Sequence, residues 1–204
     1  MTDGYAPAKI AYRELRSAIG PWAKTNGYAR WTGTQAGWQK PVEAQQQLLF
    51  KFEGSSFANP DTGHSYDGLV QLEPLGAKGS TILRQSNFTC CLVQAELDEL
   101  GRIQGAINRR RPPLPSYLKK DIAQGSLLNH SLRALYHPAP QYREGHMISF
   151  GYHGLPDVRE LAAFIAGVLP QALERFLQGR VAQPVDDTPP HLRPKWLAKL
   201  GKPK

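Results

Sequence analysis

The chain has 204 residues, 41% hydrophobic and 21% charged, which suits one well-cored domain and excludes disorder over most of its length. No apolar run approaches the ~18–20 residues of a bilayer span, and the opening Met-Thr-Asp-Gly-Tyr lacks the parts of a signal peptide. A cytoplasmic protein with no membrane partner is expected. The formal net charge is +8, of which the last sixteen residues supply five through Arg193, Lys195, Lys199, Lys202 and Lys204, with no acid among them.

Tyr12, Leu15, Ile19 and Trp22 recur at spacings of three and four, predicting a helix over residues 9–24 that Pro21 bends and Asn26-Gly27 ends. Strands follow at 28–32 and 36–39, joined by Gly33-Thr34-Gln35. In the strand over 45–53, Leu48, Phe50 and Phe52 share one face. A Gly-, Ser- and Asp-rich loop separates it from a strand over 65–73, and 81–88 closes an antiparallel meander.

The apolar period then lengthens. Val93, Leu97, Leu100, Ile103 and Ile107 predict a helix ending near Asn108, which Gly101 and Gly105 weaken. Arg109-Arg110-Arg111-Pro112-Pro113 stops it, and short helices are expected over 116–123 and 126–135. A late strand is expected over 146–153. Asp157 with Glu160 then caps a helix whose buried side carries Leu161, Phe164, Ile165, Val168, Leu169, Leu173 and Phe176, with Gly167 and Pro170 as kinks. These elements predict an α+β domain over residues 1–180, an antiparallel sheet of about five to six strands with helices packed on one face. Residues 181–204 form a basic, Pro-rich C-terminal tail.

Catalytic signatures are sparse. The adjacent Cys90 and Cys91 read as two core thiols, with a vicinal redox or soft-metal pair as the alternative. Asn87-Phe88-Thr89 matches a glycosylation triplet by chance, given the expected compartment. His146 and His153 fall on opposite faces of one strand, and no zinc-ligand spacing occurs. Gly76-Ala77-Lys78-Gly79-Ser80-Thr81 holds phosphate-loop residue types in the wrong order, and the Gly-x-Ser-x-Gly elbow is missing. No catalytic residue, metal or cofactor is assigned. Whether the chain is an enzyme stays open, with binding favoured.

Charge is distributed unevenly. Residues 51–100 carry three basic and seven acidic groups, residues 101–150 eight and two. Such a field steers acidic partners. Arg109, Arg110 and Arg111 also lie where a helix C-terminus favours cations. In the tail, Trp196, Leu197 and Leu200 line one side of a short helical stretch beside Lys195 and Lys199. The candidate binding residues are therefore Arg109, Arg110, Arg111, Lys195, Trp196 and Lys199.

Lys24-Thr25-Asn26-Gly27-Tyr28, Arg30-Trp31, the Gln-rich strand over 45–52 and the helix opening Asp157-Val158-Arg159-Glu160-Leu161 resemble a group of small uncharacterised bacterial α+β domains. Some of these look like immunity or accessory proteins encoded beside toxins. The resemblance implies a non-enzymatic role and carries no catalytic residue. The expected function is toxin-immunity-like binding of an acidic protein partner, a toxin in that reading, through the basic regions. A nucleic-acid-associated protein is the first alternative, and an enzyme acting on an anionic small substrate the second.

Overall fold

The first apolar stripe folds as α1, Ala8–Thr25, which buries Ala11, Leu15, Ile19 and Ala23. Pro21 lies inside this helix without ending it. Five strands follow as a meander whose spatial order is their chain order: β1 (Ala29–Arg30), β2 (Ala36–Val42), β3 (Gln46–Gly54), β4 (His64–Pro74) and β5 (Arg84–Asn87). The computed structural model describes residues 6–43, 45–54, 61–76, 81–113, 116 and 136–185. The helices expected over 116–123 and 126–135 fall outside these, Ser116 excepted, as do Lys195, Trp196 and Lys199.

Antiparallel register sets Leu48, Phe50 and Phe52 of β3 beside Leu72, Val70 and Gly68 of β4, so the expected alternation becomes one apolar face. Stacked and edge-on rings run through it, including Trp38 on Phe50 at 5.2 Å and Tyr66 against the ring of Phe150 at 5.3 Å. The opposite face is largely polar, with Gln39, Leu49, Gln71 and Gln85 in one cross-strand row and Gln71 Nε2 donating to Gln85 Oε1 at 2.7 Å.

Asn87 ends β5 by accepting from Thr89 N at 2.9 Å, opening a 3-10 turn over Phe88–Cys91. Thr89 is fully buried; its hydroxyl donates to His146 O at 2.7 Å and accepts from Ile148 N at 3.2 Å. The Asn-Phe-Thr triplet is thus turn chemistry. Next comes α2, Gln94–Arg110, burying Leu97, Leu100, Ile103 and Ile107. Val93, expected on that stripe, stays exposed just before the helix, where its N–H donates to Glu96 Oε2 at 3.0 Å.

Gly101 and Gly105 have a packing reason. A Cβ on either would stand 2.8 Å from a backbone carbonyl, that of Pro140 or Pro138, so bare glycine lets the strap over 137–142 lie directly on α2. Opposite the strap, Gln104 is buried and serves as a substitute strand: Nε2 donates to Gly151 O at 2.8 Å and Oε1 accepts from Gly151 N at 3.1 Å.

The late strand, β6, is shorter than expected, Phe150–Tyr152. The far edge of β4 is shared: β5 pairs with residues 69–72 and β6 with 64–66. His146 instead forms an isolated bridge to Val185. The last helix, α3, spans Leu155–Leu177 and buries Leu161, Ile165, Leu169, Leu173 and Phe176. Asp157 is not its first cap, because the helix already begins after Gly154. From the third helical position Asp157 Oδ2 reaches back to His153 N at 3.0 Å and Gly154 N at 3.1 Å. Past Arg180 the chain stays tied as far as Val185, with Ala182 N donating to Cys90 O and Val185 N to Gly145 O, both at 2.9 Å.

The fold is α+β: an open six-stranded antiparallel sheet with three α-helices among the described residues, sharing one apolar core. None of these helices is long and apolar enough to cross a membrane.

Candidate functional site

Three consecutive arginines end α2, and backbone geometry sends them three ways. Arg109 is exposed and donates through Nη1 to Pro138 O at 2.6 Å, fastening the strap. Arg110 is half exposed and neutralised by α3, with Nη2 3.0 Å from Asp157 Oδ1 and 2.6 Å from Glu160 Oε2. Arg111 precedes Pro112, which disfavours the helical conformation. It leaves α2 at φ −63°, ψ 148° and turns inward, only 7% exposed. The triplet is therefore a staple, an ion pair and a buried cation rather than one patch.

Arg111 Nη1 donates to Thr62 O at 2.8 Å. The turn before β4 reaches it because Gly63 takes φ +81°, where a Cβ would lie 2.4 Å from Tyr152 O and 3.3 Å from Arg111 Nη1. The Tyr136 ring lies against the guanidinium, its centroid 5.7 Å from Cζ, while its hydroxyl donates to Asp61 O at 3.4 Å. The Tyr136 hydroxyl acts on the guanidinium both electrostatically and through a side-chain hydrogen bond, each raising the Arg111 pKa, yet neither Nε nor Nη2 has an acceptor at full hydrogen-bond geometry. Those two atoms are buried without a hydrogen-bond partner. Burial pulls the Arg111 pKa below its ordinary value, with Tyr136 and Asp157 opposing. Burial also holds the nearby Tyr142 hydroxyl protonated, and Arg111 opposes that shift. Burial lowers His64 as well, which stacks on Tyr152 at 5.5 Å.

A second cationic region lies where α1 overlies β1 and β2. Arg16 Nη2 donates to Thr34 O and Gln35 O, both at 2.9 Å, bringing α1 to the hairpin. Its pKa is lowered, first by burial and then by the charge of Arg30. Lys40 stands over Tyr28, 5.4 Å from its centroid, and Tyr28 stacks against Trp22 at 5.3 Å. Lys24 closes α1 nearby. No carboxylate stands at salt-bridge distance from Arg16, Lys24, Arg30 or Lys40 among the described residues. No local run in the sequence announces this margin, because its members come from three elements.

Elsewhere the chemistry is quiet. Cys90 and Cys91 are free and buried; burial pushes the Cys91 thiol up to about 12, so neither is a ready nucleophile. Among the described residues no His, Cys, Asp and Glu side chains are grouped to hold a metal ion. A surface groove of about 690 Å³ runs between the start of α2 and the strap, lined by Gln94, Asp98, Tyr142, Arg143 and Glu144 among others. Its charges are of mixed sign. Comparison with protein-family models, curated proteins and solved structures returns no match.

Proposed function

We propose that the protein acts by binding, without catalysis, in the cytoplasm, and that its basic surface engages an acidic protein partner, the immunity-like role implied by the resemblance of its sequence. The supporting observation is the margin of Arg16 and Lys24 on α1, Arg30 on the two-residue edge strand β1 and Lys40 on β2, with no acid at salt-bridge distance among the described residues. Such a surface repels itself and gains when an acidic face covers it. Arg109 and the tail residues Lys195, Trp196 and Lys199 belong to the same reading; Arg110 does not, since its charge is already spent on Asp157 and Glu160.

The test is a titration with the protein encoded by the neighbouring gene, at low and at physiological salt. A complex that weakens with salt, and by at least about tenfold in the Arg30→Glu/Lys40→Glu variant, is expected for rim charges acting together. Unchanged affinity in that variant rejects the margin. Nucleic acid is the second reading, favoured by the Trp22–Tyr28 stack among the same cations. Binding to mixed-sequence duplex with a log–log salt slope near about −0.9 per phosphate contacted would transfer the margin to that partner.

A further inference from the structure

We propose that Arg111 is an oxyanion-binding residue, and that the Nε–Nη2 edge of its guanidinium holds a carboxylate or phosphate group in a bidentate grip where the end of α2 meets residues 62–64 and Tyr136. The Nε–H and Nη2–H bonds lie in one plane and point the same way, matching two oxygens on one atom. Nη1 is anchored to the Thr62 carbonyl, so the fork is held in place before a ligand arrives. Two other arginines with a buried atom lacking a partner, Arg16 and Arg84, lack one only at Nε, and both side chains are half-exposed. Arg111 alone among the described arginines is buried and leaves both fork atoms without one.

Magnitudes separate this from a structural cation. The α2 C-terminus and a cation–π contact each favour a nearby charge only modestly. Burying an unpaired charge and leaving two donor atoms without acceptors costs more than both together recover. The one acid whose charge is felt at Arg111 among the described residues, Asp157, is already committed to Arg110, His153 N and Gly154 N. An oxyanion supplies the missing charge and both acceptors at once. The site is independent of the docking margin, which holds none of these residues.

The experiment uses the full chain, ¹⁵N-labelled, and follows arginine Nε–H resonances during titration with inorganic phosphate and, separately, acetate, against chloride at matched ionic strength. The Arg111 signal is identified by its loss in Arg111→Lys and, should that variant not fold, by its Overhauser contact to the Tyr136 ring. A saturable shift with phosphate or acetate but not chloride is expected, and in Arg111→Lys, which keeps the charge and loses the fork, the Tyr136 ring resonances report affinity at least about tenfold weaker. Phosphate alone marks a phosphate site, acetate alone a carboxylate site. A resonance that neither anion moves, or that follows ionic strength only, overturns the assignment. Charge reversal at Arg30 and Lys40 leaves this titration unchanged and bears only on the docking reading.

Discussion

The two ends of α2 each bury a guanidinium, and they treat it differently. At the first turn, Arg175 of α3 meets Glu96 through two parallel bonds of 2.6 and 2.7 Å and also donates to Cys91 O. The side chains are 15% and 18% exposed, and the Glu96 bond raises the pKa of Arg175. At the last turn Arg111 is buried more deeply, its pKa is lowered, and two of its three guanidinium nitrogens have no acceptor. A buried cation is part of the scaffold where its fork is filled. Where no protein group fills the fork, as at Nε and Nη2 of Arg111, stability is given up, and such sites tend to be functional.

Breaking the filled end has the largest expected effect. Glu96→Ala leaves Arg175 half-buried and alone and lowers the unfolding free energy in urea by about 3 kcal/mol. Gln104→Leu, between the two ends, orphans Gly151 N–H and C=O and costs about 2–3 kcal/mol in the same measurement. Gly105→Ala pushes the Pro138 carbonyl off α2, costs about 1–2 kcal/mol, and raises hydrogen exchange across the strap. The Arg111 end inverts the sign. Arg111→Met replaces a buried, unfilled charge with an apolar chain of similar length, and stability is unchanged or rises by about 1 kcal/mol. A loss of more than about 1 kcal/mol there would falsify the contrast between the two ends.

The smallest effect is on pH dependence. Cys91 is raised when folded, so its contribution to stability is full below the unfolded thiol value of about 8.5 and is lost as pH rises toward about 12. Stability should therefore fall with pH above that lower value, less so in Cys91→Ala. Alkylation of the native thiols should be slower than in denaturant by on the order of a hundredfold or more.

Much of this architecture is legible in the chain itself. The spacing of Leu15 and Ile19, of Leu97 to Ile107 and of Leu161 to Phe176 specifies three amphipathic helices, and the alternation of Leu48, Phe50 and Phe52 specifies a strand with one apolar face, because side-chain direction repeats with the backbone. Pro112 after Arg111 announces where α2 must end. Strand length, cap position and charge pairing follow another rule. β6 spans three residues, on the edge of β4 that β5 also pairs with further along. Asp157 sits inside α3 because its carboxylate answers Arg110 from another helix as well as its own first turn. The arginine triplet looks uniform in sequence, yet tertiary contacts make its members a staple, an ion pair and a buried fork. Local pattern sets which way a side chain points; only the packed fold decides whether a charge finds water, a carboxylate or neither, because that depends on residues brought close from dozens of positions away.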